Sequence, residues 1–114
     1  MPRKQFTLSG YKAMWVLAMF DLPVKTKRDR RNYARFRNHL LDSGFMQLQF
    51  SVYGRFCASE DLAETHRERI ERALPPEGHV RLLAVTDRQF EKMRVFYGEK
   101  QHEPEQKPSQ LTLF

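Results

Sequence analysis

The sequence contains few of the residues that cross-link a chain, hold a structural metal or enter a membrane. Its single cysteine, Cys57, cannot form an internal disulfide. Its four histidines lack the spacing of metal ligands, which argues against a structural zinc site. No stretch approaches the roughly 18 apolar residues of a membrane span, and the N-terminus lacks the apolar region of a signal peptide. We therefore expect a cytoplasmic protein with no place in a membrane.

The composition that remains is typical of one folded domain with an excess of positive charge. The 114 residues suffice for one hydrophobic core and are too few for two domains. Hydrophobic residues make up 40% of the chain and charged residues 30%, which favours a globular protein over a disordered one. The net charge of +6 and the pI near 9.8 favour a polyanionic partner.

Hydrophobic periodicity predicts strands and helices in a definite order. Apolar runs and alternation with a period of two predict strands, whereas apolar residues three or four positions apart predict helices. The predicted elements are a strand at 15–20, a helix at 26–43, one long or two short strands within 45–56, a helix after Ser59 that Pro75 ends, a strand at 80–85 and a short strand at 93–97. This order predicts an α+β fold, a ferredoxin-like βαββαβ sandwich with an antiparallel sheet.

The first predicted strand is apolar on both sides. Its alternating residues are Val16, Ala18 and Phe20 on one side, and Trp15, Leu17 and Met19 on the other. Helices cover only one face of a ferredoxin-like sheet, so the other apolar face needs a separate cover. A second copy of the chain would supply it, giving a homodimer through the sheet face. An extension of the same chain folded over that face is the alternative.

Residues 99–114 differ in composition from the domain expected at 14–98. The polar stretch after Gly98 has two prolines and no periodicity, which predicts a linker. It ends in an apolar segment suited to adding a strand to a partner's sheet, with a frayed tail or a strand docked on its own fold as alternatives. The apolar residues are Leu111, Thr112, Leu113 and Phe114, and together with Gln110 before them they form the expected partner-binding tail. We assign no role to the N-terminal extension at 1–13.

Four cations form a stripe along the first predicted helix. They are Lys27, Arg28, Arg31 and Arg35. At 100° per residue they fall in one quadrant, opposite the apolar side formed by Tyr33, Phe36 and Leu40. A solvated helix face normally mixes charges of both signs, yet Asp29 is the only acid from Thr26 to Leu41. A phosphate backbone is therefore the favoured partner, bound with little regard to base sequence.

Asp21 stands at the end of the first predicted strand, before Leu22 and Pro23. A turn or capping role is the plain interpretation of such a carboxylate. The alternative is a site for Mg²⁺, which proteins often hold with one or two carboxylates, water and substrate phosphate. One aspartate per chain makes a poor site. Two copies of Asp21 meeting across a twofold axis would share an ion that relieves their repulsion.

Four segments of the chain form a recognisable series. They are VLAMFDLP at 16–23, KTKRDRRNYARFRNHLLDSGF at 25–45, LQFSVYGR at 48–55 and LPPEGHVRLLAVTDRQF at 74–90. In this order and spacing they resemble the CRISPR-associated protein two family. The similarity extends from about residue 14 to residue 98. The long basic helix and the QLTLF ending are similar to variants that accompany single-protein RNA-guided effector nucleases.

The resemblance implies a ferredoxin-like homodimer that lies between two integrase dimers and holds double-stranded prospacer DNA for insertion into the CRISPR array. It also implies a Mg²⁺-dependent endonuclease acting on single-stranded RNA or double-stranded DNA, with Asp21 as catalytic residue and metal ligand. A toxin-like RNA nuclease with the same fold is the alternative. In the adaptation role, the stripe and Arg55 would bind phosphates, and residues 110–114 would bind the integrase.

Overall fold

The computed structural model describes residues 12–108, which form a four-stranded antiparallel sheet covered on one face by two long helices. The sheet order is β2-β3-β1-β4, and a separate hairpin joins β5 to β6. The elements are β1 Met14–Asp21, α1 Lys27–Asp42, β2 Met46–Gln49, β3 Val52–Cys57, α2 Glu60–Glu71, β4 His79–Thr86, α3 Asp87–Glu91, β5 Val95–Tyr97 and β6 Lys100–His102. This architecture confirms the predicted α+β, ferredoxin-like fold.

Local sequence signals set both ends of α1. The Thr26 hydroxyl accepts from the backbone N–H of Asp29 at 3.0 Å, and the Asp29 carboxylate accepts from the N–H of Thr26 at 3.1 Å. This reciprocal pair satisfies amide groups that the first turn leaves open. At the other end Ser43 caps the helix and Gly44 takes a φ of 88°, which suits glycine. The helix predicted from Thr26 to Ser43 is confirmed.

The predicted stretch at 45–56 forms two strands rather than one. The break falls at Phe50 and Ser51, and Ser51 takes a φ of 64°, which turns the chain back on itself. The Ser51 carbonyl accepts a hydrogen bond from the backbone N–H of Phe20 at 3.0 Å. The β2–β3 connection therefore sits against the end of β1.

The main core lies between the sheet and the two long helices. Val16, Ala18 and Phe20 of β1 are buried there against α1 and α2. The Phe20 ring packs edge-on against Phe36 of α1 with centroids 5.2 Å apart, and it stacks on Tyr53 of β3 at 5.7 Å. The remaining members of this core are Met14, Leu40, Phe45, Cys57, Ala63 and Ile70.

The strand predicted at 93–97 is present as β5 and lies outside the main sheet. Residues 95–97 pair with 100–102, so they form a hairpin apart from the main sheet. The physical reason is α3, which starts directly after β4. The Thr86 hydroxyl and the Gln89 side chain form a second reciprocal cap that begins this short helix and redirects the chain. Strand β6 falls in the segment expected to be a linker; the domain boundary at residue 99 stays a prediction.

Between residues 12 and 108, no helix has both the length and the hydrophobicity needed to cross a lipid bilayer.

Candidate nucleic-acid interface and metal-binding carboxylate

Asp21 ends β1 on the sheet face that the long helices leave open. Side chains alternate along a strand, so Asp21 shares this face with Leu17 and Met19. Its side chain is exposed, and it makes no hydrogen bond or ion pair with residues 12–108. The carboxylate is therefore free to accept ligands from solvent or from another molecule.

His79 is the cross-strand neighbour of Asp21. The two residues are Cα partners in the β1–β4 ladder, so their side chains leave the same face. Gly78 fixes this arrangement, because a Cβ at that position would lie 2.7 Å from the backbone oxygen of Asp21. Gly78 also has a φ of 98°, which disfavours other residues. The start of β4 is thus packed closely against the end of β1.

The donor set around Asp21 fits a hard divalent cation only if further ligands come from outside the chain. Within residues 12–108, no group of three potential metal-binding side chains exists. Mg²⁺ is commonly held by one or two carboxylates, with water and phosphate oxygens completing its shell. One exposed, unpaired carboxylate per chain meets that requirement when a second copy or a substrate phosphate supplies the rest.

The cationic stripe lies on the exposed side of α1. Lys27, Arg28, Arg31 and Arg35 are all exposed, whereas Phe36 and Leu40 of the same helix are buried. A shallow depression of about 520 Å³ along this side is lined by Arg31, Ala34, Arg35, Asn38, His39 and Asp42. The predicted division of the helix into a basic side and an apolar side is therefore present in the structure.

Two charged residues of α1 that lie near the stripe are used locally. Asp29 binds the backbone of Thr26 in the helix cap. The guanidinium of Arg30 donates to the carbonyls of Val24 and Lys25 at 3.1 and 3.0 Å, which ties the preceding loop to the helix. The capping acid is thus held at the helix start, and none of the four stripe cations has an ion pair within residues 12–108.

Arg55 is a partly buried residue that connects β3 to the end of α1. Its Nε donates to the carbonyl of Ser43 at 2.9 Å and its Nη1 to the carbonyl of Phe56 at 2.7 Å. Gly44 permits this contact, because a Cβ there would lie 2.9 Å from Nε of Arg55. A cation at a helix C-terminus is favourable, so this geometry gives Arg55 a structural role. Phosphate binding by Arg55 stays a prediction.

The stripe and Asp21 lie on opposite sides of the molecule. The buried side of α1 packs on the helix-covered face of the sheet, so its basic side points away from the sheet. Asp21 is on the other sheet face. A nucleic acid bound along the stripe of one chain therefore does not lie on the Asp21 of that chain.

Beyond His79 and Arg81, the open face carries apolar side chains that residues 12–108 leave partly exposed. Leu17 and Met19 are partly exposed, and Leu83 of β4, the Cα partner of Leu17, is 48% exposed. Met46 of β2 is 45% exposed. Apolar side chains gathered on one exposed sheet face are typical of an interaction surface.

The opposite end of the open face is covered by the chain itself. Trp15 is 1% exposed, and its ring stacks on Phe90 of α3 with centroids 4.0 Å apart. Its indole Nε1–H donates to the Asp87 carboxylate at 2.9 Å. The other oxygen of Asp87 lies 3.5 Å from Nζ of Lys107. The C-terminal segment is thereby attached to α3.

Two buried groups have shifted acidities. Burial raises the pKa of the Cys57 thiol, partly offset by Arg55, so the thiol is an inert member of the core, as its isolation in the sequence predicts. Burial lowers the pKa of His66, and the nearby charges of Arg55 and Arg69 lower it further. Neither group contributes to the surfaces described above.

Sequence patterns did not reveal the neighbours of Asp21 and Trp15. His79 lies 58 positions from Asp21 in the chain, and Asp87 lies 72 positions from Trp15. Only the β1–β4 register and the docking of α3 bring these pairs together. The sequence offered one signal, which is that β4 begins with His79 and is followed directly by Asp87. The predicted partner-binding residues 110–114 lie outside the described residues, as does most of the N-terminal extension.

Comparison with known proteins gives a consistent result. A family model described as "CRISPR associated protein Cas2" matches residues 14–93. A protein of Parvibaculum lavamentivorans is 50% identical over 101 residues, covering 89% of this chain and all of that relative. A protein of Flavobacterium psychrophilum is 45% identical over 107 residues, covering 94% of this chain and 93% of the relative. Both relatives are named "CRISPR-associated endoribonuclease Cas2".

Proposed function

The chain belongs to the CRISPR-associated Cas2 family, and we propose that it acts in CRISPR adaptation as a homodimer that binds double-stranded prospacer DNA and bridges integrase subunits. The observation that carries this proposal is the basic outer side of α1. Four exposed cations lie there without an ion-pairing acid among residues 12–108. Like charges kept adjacent cost stability, which a polyanionic partner would offset.

The stripe suits the phosphate backbone rather than the bases. It consists of lysine and arginine side chains spaced along one exposed helix side, and the depression beside Arg31 and Arg35 is shallow and open to solvent. Phosphate contacts position a protein on a duplex without reading its sequence. We therefore expect binding that depends strongly on salt and weakly on sequence.

The DNA-binding proposal is tested by removing three stripe arginines together. We expect Arg28→Ala, Arg31→Ala and Arg35→Ala to weaken duplex binding and to flatten its dependence on salt. The slope of log affinity against log salt should fall by about 0.9 for each phosphate that the variant no longer neutralises. The measurement is fluorescence anisotropy with a short labelled duplex at several salt concentrations.

A matched control separates a local site from net charge. The variant with Arg72→Ala, Arg88→Ala and Arg94→Ala removes the same charge from exposed residues elsewhere in the molecule. It should keep the wild-type salt slope within error. Equal loss in both triple variants would mean that only net charge matters, and an unchanged slope in the stripe variant would remove α1 from DNA binding.

The dimer and the integrase contact use two further regions. The exposed leucine and methionine side chains beside Asp21 favour a second copy of the chain on the open face. Residues 110–114 are assigned to the integrase, because an apolar, strand-prone terminal segment is suited to completing a partner's sheet edge. Deleting residues 110–114 should abolish capture of the integrase while leaving dimer mass and duplex binding unchanged.

A metal-dependent endonuclease is the second candidate function. It is favoured by the exposure of Asp21 and by the word endoribonuclease in the names of the relatives. The chain would hold Mg²⁺ through Asp21 of both protomers and would cut single-stranded RNA or double-stranded DNA. A bound Mg²⁺ supplies charge neutralisation at the scissile phosphate and activation of water. Asp21 contributes a carboxylate without a partner among residues 12–108, and Gly78 holds the backbone that carries it.

Cleavage by matched proteins tests the nuclease proposal. Wild type and Asp21→Asn are incubated with Mg²⁺ and labelled single-stranded RNA or double-stranded DNA. Cleavage by the wild type alone supports a catalytic carboxylate. Absence of cleavage by both proteins rejects the enzyme and leaves the architectural role, and equal cleavage by both identifies a contaminant.

A further inference from the structure

We propose that His79 is a second metal ligand beside Asp21, so that the site formed by two copies of this pair prefers a first-row transition ion such as Mn²⁺ to Mg²⁺. This inference rests on the proposed dimer and on the proposed metal role of Asp21. It adds a residue and a metal preference that neither of those proposals contains.

The β1–β4 register places both side chains on one face. Asp21 and His79 are directly opposite each other in an antiparallel ladder, where Cβ atoms lie about 4.5–5.5 Å apart. A carboxylate oxygen and an imidazole nitrogen each bind a metal at about 2.0–2.2 Å, so both can reach one ion between them. Both side chains are exposed and have no intrachain partner among residues 12–108 that would have to be broken first.

The backbone beneath the pair is held rigidly. Gly78 contacts the backbone of Asp21 and Leu22 so closely that a Cβ would lie 2.7 Å from the Asp21 oxygen and 3.0 Å from Cα of Leu22. A ligand pair on a fixed strand ladder loses less entropy on binding than a pair on a loop. The pair is therefore organised before an ion arrives.

One chain supplies too few ligands for a closed site. No third potential ligand joins Asp21 and His79 within the described part of the chain. A second copy placed on the open face by a twofold axis would add an identical pair, giving two oxygen and two nitrogen donors. Arg81, two residues along the same face, adds a positive charge that opposes a bare cation and attracts a phosphate.

The donor types determine which ion is preferred. Mg²⁺ favours oxygen ligands and water, whereas imidazole nitrogen suits transition ions. Asp21 alone would serve Mg²⁺. Adding His79 shifts the preference toward Mn²⁺ and its heavier neighbours, and the loss of His79 should leave the affinity for Mg²⁺ nearly unchanged.

The test uses Mn²⁺ alone, because this ion broadens the NMR signals of groups close to it. The broadened signals locate the ion, and the variants decide which side chains bind it. Wild type, His79→Asn and Asp21→Asn are compared with His102→Asn, a control whose exposed imidazole stacks on Tyr97 in the β5–β6 hairpin. In the wild type, the ring signals of His79 should broaden at substoichiometric Mn²⁺ while those of His102 stay sharp. Calorimetry should give one ion per two chains.

The expected affinities distinguish the role of His79 from the proposed dimer and from the proposed metal role of Asp21. His79→Asn should weaken Mn²⁺ binding at least about tenfold, since changes to the residues around a bound metal typically reduce affinity by that much or more. It should weaken Mg²⁺ binding less than about twofold. His102→Asn should match the wild type. Wild-type Mn²⁺ affinity in His79→Asn, combined with loss in Asp21→Asn, would overturn the role of His79 and leave the Asp21 site intact. No effect of Asp21→Asn, or no Mn²⁺ binding at all, would overturn both.

Discussion

Both ends of the open sheet face include residues of β1, but they differ in whether other parts of the chain cover them. At one end Trp15 is sealed by Phe90 and by a hydrogen bond to Asp87. At the other end Leu17 and Met19 remain partly exposed beside the free carboxylate of Asp21. At the covered end, both the ring and the indole N–H of Trp15 have partners within the chain. At the other end, residues 12–108 leave apolar area exposed and the charge of Asp21 unpaired, and another molecule would satisfy both, which is why we propose the dimer and the metal there.

The largest expected effect is at the covered end, where Trp15→Ala should reduce the free energy of unfolding. Truncating a buried tryptophan typically costs about 3–5 kcal/mol, because it loses transfer energy and leaves a cavity. Urea unfolding followed by circular dichroism measures the change. A loss below about 1 kcal/mol would mean that α3 collapses onto the space and that the seal contributes little.

The uncovered end should respond in association rather than in folding. Leu83→Glu places a carboxylate in the proposed dimer interface, where an unpaired buried charge costs about 2 kcal/mol or more. We expect the dimer to dissociate. The free energy of unfolding of the variant monomer should stay within about 0.5 kcal/mol of that of the wild-type monomer. Light scattering coupled to size exclusion gives the mass.

Leu41→Glu is the matched control for Leu83→Glu, since Leu41 is also exposed but lies on α1, on the helix-covered side. It should leave the mass unchanged. A monomeric wild type, or dissociation of both variants alike, would contradict the assignment of the open face to a second copy.

The hydrogen bond that closes the covered end can be removed separately from the ring. Asp87→Ala leaves the buried indole N–H without an acceptor, which costs about 1–3 kcal/mol of unfolding free energy. Lys107→Ala removes only an exposed ion pair and should cost about 1 kcal/mol or less. The free energy of unfolding is measured with urea. An equal loss in Asp87→Ala and Lys107→Ala would show that the ion pair accounts for the whole effect of Asp87 and that the indole hydrogen bond contributes nothing.

The smallest expected effect is the dependence of stability on pH. It comes from His66, which lies on α2 rather than on the open face. Burial and two arginines lower the pKa of His66 from its ordinary value of 6.5. The unfolded chain therefore binds the proton more tightly than the folded one. The contribution to stability is complete above about pH 6.5 and is lost as the pH falls through the lower folded pKa.

The measurement is the free energy of unfolding at a series of pH values for wild type, His66→Gln and His102→Gln. The slope below pH 6.5 should shrink in His66→Gln and persist in His102→Gln. An unchanged slope in His66→Gln would contradict this assignment of the acid sensitivity to His66.

Short-range sequence signals predicted most of the elements. The caps at Thr26 and Ser59, the apolar spacing of Phe36 and Leu40, and the short apolar run of β1 act over a few residues, so they could be interpreted before the fold was known. The α1 stripe was predicted for the same reason, since a helix converts spacing directly into a surface.

The amino-acid sequence by itself determined the order of the elements from β1 to β4, the basic side of α1 and the two apolar sides of β1, because each depends on local periodicity. Only the tertiary structure decided that His79 faces Asp21, that Asp87 binds Trp15, and that Arg55 is held by the carbonyls at the end of α1. The physical reason is that strand register and helix docking are set by packing across the whole core, which joins residues that local patterns leave unrelated.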